Sequence, residues 1–301
     1  MPRLRGKRGF GLLLLLLLGL WLGFRGLRGT CLHLLRVEQA HWGTLEEQLP
    51  LELVVAREEE LMVAPASGRF LPLVQEGERV AAGTPVARIF SSKEGKPVEL
   101  RASRAGQVFF RWDGLEGVLQ PAHLEGWPLR DIKRLLATAQ ATSAPSQIQE
   151  GSPCLRLVDN LAPVHLYGLL PERDIPWQAG QEVSLRLTSG VLLQARVVGI
   201  LEANPRAILL EVNPGREELV RDRVVKAQGI LKTYRGVLLP AKALQEEEGG
   251  QKGVYILTER GPRWQGVKVI GQVGQEVAVE GINPGVEVIA NPFWVRWVKP
   301  R

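Results

Sequence analysis

The densest alternation of apolar and polar positions lies in residues 61–119, where short apolar runs are separated by glycine-bearing turns. The first part, LMVAPASGRFLPLVQEGERVAAGTPVARI, opens with Ala64 and Gly68. Gly77, Val80, Gly83, Val86 and Ile89 follow at three-residue spacing. The pattern then restarts in ELRASRAGQVFFRWDG, where Ala102 and Gly106 repeat the A-x-x-x-G relation, and each pair precedes an apolar strand (residues 70–74 and 108–110). Self-similarity of this kind predicts one β module written in two halves. Glu76-Gly77 and Ala82-Gly83 predict tight turns with glycine at positive φ, and Val74, Val80, Val86 and Ile89 predict the short strands between them.

Further along, CLRLVD, VHLYGLL, EVSLRL and LLQARVVGIL are strand candidates within residues 154–231, separated by turns at 171–180, 188–190 and 202–206. One segment breaks the two-residue period. Residues 128–140, PLRDIKRLLATAQ, place Leu129, Ile132, Leu135 and Leu136 on one helical face with Asp131 in the first turn. This predicts a connecting helix packed on a β domain. Residues 141–153 are rich in Ser, Ala, Gln and Pro and read as a linker.

Residues 10–24, FGLLLLLLLGLWLGF, form the strongest apolar run. It is shorter than the roughly 20 residues of an ideal membrane span. The segment after it lacks the small-residue pattern of a cleavage site, and Arg28 stands where a lipoprotein signal ending at Cys31 wants an aliphatic residue. Cleavage and lipidation stay open as alternatives to the favoured reading, an uncleaved anchor in which Arg25 and Arg28 snorkel and Leu32, Leu34 and Leu35 extend the apolar face. Arg3, Arg5, Lys7 and Arg8 precede the run, which predicts an N-terminus in the cytoplasm and an extracytoplasmic body.

Those basic residues also explain the net charge. Six of them, including Arg25 and Arg28, lie in the first 28 residues with no acid; removing them from the total leaves 32 basic residues against 32 acidic ones. The body is formally neutral and has no basic stripe with interleaved aromatics, which argues against nucleic-acid binding. The C-terminal FWVRWVKPR mixes tryptophan with base, a composition suited either to a headgroup layer or to a final packed strand.

Catalytic patterns are sparse. His33, His41, His123 and His165 are isolated, and Cys31 and Cys154 form no C-x-x-C, so the sequence predicts no built metal site. Hydrolase-elbow, Walker and dinucleotide fingerprints do not occur. Glu58-Glu59-Glu60 and Glu246-Glu247-Glu248 read as solvated turns, and a Cys31–Cys154 bridge is disfavoured by the expected place of Cys31 beside the membrane. The sequence therefore assigns no catalytic, cofactor-binding or metal-binding residue and predicts a protein that is not an enzyme.

Residues 61–119 resemble the lipoyl/biotinyl fold as it occurs in the HlyD-like membrane-fusion proteins, the periplasmic adaptor proteins of efflux and secretion systems. Carrier domains of that fold hold a modified lysine between the halves, flanked by Met or by Asp-Lys-Ala. Here the place holds Ser91-Ser92-Lys93-Glu94-Gly95-Lys96, so Lys93 and Lys96 read as members of a plain solvated turn. Many membrane-fusion proteins insert a long helical hairpin at this place. The few polar residues here predict a local β hairpin and a short adaptor, from a cell with one membrane or a system without an outer-membrane duct.

Three further segments resemble the same family. LVDNLAPVHLYGLLPERDIPWQAGQEVSLRL is similar to its β-barrel domain at Asp159, Pro171, Glu172, Asp174, Ile175, Gly180, Gln181 and Val183, read as turn and packing positions. GVLLPAKALQEEEGGQKGVYILTERG is similar to its membrane-proximal domain at Pro240, Ala243, Leu244, Val254 and Tyr255. The closing strands match at Gly281, Pro284, Gly285, Val288 and Ile289.

The expectation is a mainly β protein with a cytoplasmic tip and transmembrane anchor (1–36), a lipoyl-like barrel-sandwich hybrid (37–127), a helix and linker (128–153), a β-barrel domain (154–231) and a membrane-proximal β domain with tail (232–301). The resemblance implies a non-enzymatic adaptor without cofactor, anchored in the cell membrane by one span. Its partner would be a transporter of the inner or plasma membrane, with homo-oligomers allowed and nucleic acid excluded. An extracytoplasmic scaffold of wall or division machinery with the same fold is the alternative.

Overall fold

The computed structural model describes residues 35–91, 96–126, 129–172, 174–201, 206–247 and 249–295. The expected anchor at 10–24 and the tail beyond 295 lie outside the described residues. Among the described residues no helix is long and apolar enough to cross a membrane. The chain divides into two compact units, residues 48–231 and residues 232–301 together with those up to 47.

Strands appear in this order: β1 (Val37–Gln39), β2 (His41–Ala56), β3 (Glu59–Val63), β4 (Gly68–Pro72), β5 (Arg79–Val80), β6 (Pro85–Phe90), β7 (Pro97–Arg101), β8 (Gly106–Phe109), β9 (Arg111–Trp112), β10 (Thr142–Ser143), β11 (Gln147–Ile148) and β12 (Pro153–Val158). There follow β13 (Val164–Leu169), β14 (Glu182–Leu187), β15 (Leu192–Leu201), β16 (Ala207–Val212), β17 (Val224–Pro240), β18 (Gln245–Glu246), β19 (Lys252–Thr258), β20 (Gly261–Gly266), β21 (Lys268–Val273), β22 (Glu276–Glu280) and β23 (Glu287–Ile289). The helix α1 spans Leu129–Thr138 and the short helix α2 spans Glu218–Arg221.

In the unit formed by residues 48–231, two four-stranded sheets, β3-β12-β8-β5 and β11-β4-β6-β7, make a sandwich. Its halves exchange strands: β3, β4, β5 and β6 correspond in position to β7, β8, β11 and β12, so each sheet holds two strands from either half. The repeated glycines serve this interlock. A Cβ on Gly68 would run into the Phe90 carbonyl oxygen, and one on Gly106 would sit 2.6 Å from the Val158 carbonyl oxygen. The repeated alanines are buried and equivalent too, with Ala64 N donating to Ser152 O and Ala102 N to Thr84 O, both at 2.9 Å. Gly77 and Gly83 hold the expected left-handed turns, at φ 84° and 82°. Six residues, 91–96, join β6 to β7, whose ladder closes at Phe90–Pro97, and this leaves no room for a long helical hairpin.

The second half of the sandwich ends later than residue 119. β12 pairs with β3 and β8 and supplies Cys154, Leu155 and Leu157 to the sandwich core, so the segment expected to open the barrel domain closes the sandwich instead. Residues 141–153, expected to be a linker, contain β10 on β9 and β11 on β4, and they end on the first residue of β12. Short pairings of this kind carry too few residues for a visible period.

The barrel of the same unit has the order β14-β15-β16-β13-β2-β17, and β14 pairs again with β17 to close it. Closure removes the free edges an open sheet would present. Leu51, Leu53 and Val55 of β2 point into its core with Leu166, Leu185, Leu193, Val197, Ile208 and Leu210. The intervening Val54 and Ala56 face outward, where Tyr167 and Leu209 join them under Leu115, Leu119, Leu124 and Ile132. The helix α1 is therefore a packing element on the barrel exterior, with Leu135 and Leu136 half-buried against the same cluster. Trp177 fills the interior beside Gly229, where any Cβ would meet the indole.

The other unit contains a sheet of order β1-β23-β19-β18, with β20 on β19, and the ladders β17–β22 and β22–β21. Ala40, Val237, Leu239, Val254, Ile256, Val277, Val279 and Val288 form its core. Arg36 N donates to Asn291 Oδ1 at 2.7 Å and Ala290 N to Arg36 O at 2.8 Å.

Candidate functional site

The chain runs directly from a barrel strand into the sandwich at residues 57–58 and back at 159–163, while residues 113–141 leave the sandwich, pack on the barrel exterior and return to it. The crossings lie side by side: Glu59 pairs with Val158, Asp159 N donates to Glu58 O at 2.9 Å, and His165 pairs with Ala56. Around them is a cluster of buried charge. Glu59, expected in a solvated acidic turn, is 2% exposed. It sits at the start of β3 with its side chain on the same side as that of Arg57, two residues earlier, as extended backbone requires.

Glu59 is the hub. Its Oε2 accepts from Arg57 Nε at 3.1 Å and lies 3.3 Å from Arg156 Nη1, while Oε1 meets Arg223 Nη1. Arg223 also forks onto Asp113, Nε to Oδ2 at 2.8 Å and Nη2 to Oδ1 at 3.0 Å, with Glu116 Oε1 3.9 Å from Nη2. Arg57 Nη1 donates to the carbonyls of Leu219 and Asp222 at 2.7 and 2.9 Å, tying β2 to the end of α2. The Arg156 guanidinium lies 5.0 Å over the Phe109 ring, and Phe109, Val158 and Val220 form a small apolar cluster alongside.

The acids are held from the main chain as well. Glu116 accepts from Asp113 N and Gly114 N at 2.8 and 2.9 Å, and Asp113 Oδ1 accepts from Leu115 N at 2.9 Å. The two carboxylates thus take up the main-chain donors of residues 113, 114 and 115 in this turn. Burial alone would raise the Asp113 pKa, but the Arg223 hydrogen bonds and charge outweigh it and hold the carboxyl at about 2. Burial raises the Glu116 pKa, with neighbouring Asp113 and Glu59 adding to the rise. Burial lowers Arg57 to about 10, opposed by Glu59 and assisted by Arg223 and Arg156. Arg223 is raised: Asp113 and Glu59 outweigh its burial. Three guanidiniums and three carboxylates balance formally, so the cluster is a neutral junction.

The residues matched to the family from sequence fall on turns and in cores. Asp159 Oδ1 caps Leu161 N at 2.9 Å and Ala162 N at 3.2 Å in the second crossing. Gly180 turns at φ 82°, Gln181 Oε1 accepts from Gln178 N at 3.0 Å, Ile175 packs on the barrel core and Val183 is buried in it. Ala243, Val254, Val288 and Ile289 are buried, Gly281 and Gly285 turn at φ 99° and 86°, and Tyr255 meets Trp264 edge to face. Cys154 is a buried free thiol bonded to Met62 O at 3.2 Å, and burial raises its pKa to about 11. Among the described residues no group of three or more His, Cys, Asp or Glu is arranged to hold a metal ion.

Residues 59–159 match the family model described as RND related, barrel-sandwich hybrid domain. These bounds run from the start of β3 to just past the end of β12, so this domain matches the RND-related barrel-sandwich hybrid, and its two halves are joined without a long helical hairpin. Among solved structures, ZneB from Cupriavidus metallidurans overlaps 85% of this chain and 92% of its own at 15% identity and a TM-score of 0.30. MacA from Actinobacillus actinomycetemcomitans overlaps 84% of this chain and 98% of its own at 13% identity and a TM-score of 0.38. The membrane fusion protein Spr0693 from Streptococcus pneumoniae R6 overlaps 61% and 99% at 11% identity and a TM-score of 0.32. No curated protein sequence matches the chain.

Proposed function

We propose that the protein is a non-enzymatic, membrane-anchored adaptor of an efflux or secretion transporter. The observation that carries this reading is the match of residues 59–159 to the RND-related barrel-sandwich hybrid. The closed barrel and the mainly β unit that follow agree with it, as does the order of family-like segments through residue 292. In this reading the apolar run at 10–24 holds the protein in the cell membrane with its N-terminus in the cytoplasm, and the body contributes to a ring or conduit beside a transporter of the inner or plasma membrane. The side chains act by packing and positioning.

Crosslinking in cells, followed by purification of the full chain in mild detergent, tests the proposal. A multi-span transporter or an ATPase-coupled permease recovered in stoichiometric amount is the expected result. Recovery of wall-synthesis or division proteins without a transporter would overturn it in favour of a scaffold.

A further inference from the structure

Two adjacent chain crossings between two β bodies make a natural line of bending, because only the few residues of each crossing need change their dihedral angles. In this protein that line is occupied. Arg57 and Glu59 flank the first crossing. Arg156 stands three residues before Asp159, where the second begins. Arg223, with the carbonyls of Leu219 and Asp222, comes from the barrel side. Asp113 and Glu116 come from the turn that leaves the sandwich after β9. A bend about the crossings would pull Arg223 from Asp113 or Arg57 from α2, and would expose Glu59 with its guanidinium partners displaced.

Buried charge of this kind is a poor source of net stability, and fixing one register or geometry is its best-attested use. Removing one partner leaves the others charged and dry, so the network is held by the mutual contacts of its six side chains. The forked Arg223–Asp113 contact adds an angular constraint that a point charge would not. Further contacts cross the same junction: Val220 of α2 packs on Phe109 and Val158 of the sandwich, Gly215 N donates to Asn160 O at 3.0 Å, and Leu115, Leu119 and Ile132 of the segment between β9 and β10 pack on Val54, Tyr167 and Leu209 of the barrel.

We propose that this network is a clasp that locks the sandwich onto the barrel, so that residues 48–231 move as a single rigid body. The clasp is a conformational device specific to these six side chains, and it stands apart from the transport reading.

Distance measurement between two nitroxide labels tests it. The labels are placed by Arg79→Cys on the sandwich and Ser189→Cys on the barrel, both exposed, in the full chain in detergent with Cys31→Ser. The clasp predicts one narrow distance distribution in the otherwise unchanged protein. In Arg223→Gln and in Asp113→Asn the distribution widens by about a factor of two or more as the hinge is released. Arg88→Gln, at the exposed equivalent of Arg156, leaves it narrow. Should Arg223→Gln fail to fold, Asp113→Asn at the rim of the network carries the comparison. A broad distribution before mutation, or a narrow one retained in folded Asp113→Asn, overturns the clasp and leaves the adaptor reading as it was.

Discussion

Arg88 and Arg156 occupy equivalent positions in the two halves of the sandwich, each three residues after the proline that opens its strand, and they meet opposite environments. The Arg88 side chain is 43% exposed and pairs with Glu99 at 3.1 Å on an open face. The Arg156 side chain is 6% exposed, bonded to Glu59 and stacked over Phe109 under the barrel. One repeat position has become a surface ion pair in one half and part of a buried junction in the other.

Replacement of the two arginines should therefore differ sharply. Arg88→Ala is expected to change stability by no more than about 1 kcal/mol, as exposed pairs do. Arg156→Ala leaves Glu59 short of a partner in a dry site and is expected to cost about 3 kcal/mol or more. Urea unfolding of the two variants side by side checks this.

The interlocking glycines should resist even the smallest side chain. Gly68→Ala and Gly106→Ala each drive a methyl into a backbone carbonyl of the neighbouring strand, which has no rotamer with which to yield. A loss of about 2 kcal/mol or more is expected for each, from overpacking and a displaced ladder. Gly117→Ala, with open space around its Cβ position, is the control and should be near neutral. Thermal melts of the three variants distinguish the outcomes.

Inside the barrel, Gly229→Ala should act through Trp177. The added methyl meets the buried Trp177 indole, with Leu51 Cδ1 also 3.3 Å from the methyl, so the ring must leave its place in the core. The expected result is a destabilisation of about 1–3 kcal/mol and a shifted tryptophan emission, read together in one denaturation series.

Acid should loosen the junction through Asp113. Its folded pKa of about 2 lies below the ordinary 3.8, so the folded state binds fewer protons than the unfolded state across that window. The stabilisation is full above about pH 3.8 and is lost as pH falls through about 2. Unfolding midpoints measured from about pH 5 to about pH 2 should fall less steeply in Asp113→Asn than in the unchanged protein.

The hairpin between the halves predicts its own chemistry. Ser91-Ser92-Lys93-Glu94-Gly95-Lys96 lacks the flanks of a carrier lysine, so the intact mass of the native protein should show no biotin or lipoyl addition. A stoichiometric adduct on Lys93 or Lys96 would make the sandwich a carrier.

Much of the architecture was legible because period-two patterns survive wherever one face is buried. The A-x-x-x-G repeat found the sandwich, the turns at Gly77 and Gly83 hold their expected conformation, and Leu129, Ile132, Leu135 and Leu136 found α1. The end of the sandwich was hidden by an interruption. Gly83-Thr84-Pro85 leading into β6 is repeated as Gly151-Ser152-Pro153 leading into β12, with Gly151 at φ 79°, but the helix and the short strands β9 and β10 stand between β8 and the last two strands of the second half. Periodicity identifies a strand without saying which sheet it joins. The junction was illegible for a similar reason. Three consecutive glutamates read as solvated, and only the fold brings Arg156 from 97 residues away to Glu59, or Arg223 from 110 residues away to Asp113.

The pairing of β1 with β23 decides how the second unit bears force. The chain enters at Arg36 and leaves past Asn291 at the same end of an antiparallel ladder, with Arg36 and Ala290 forming its outermost bonded pair. Tension applied between the two flanking segments thus loads that ladder from its end, rung after rung, in the peeling direction. Pulling on the two ends should open β1 from β23 at low force, well before the core around Val254 and Val279 shears.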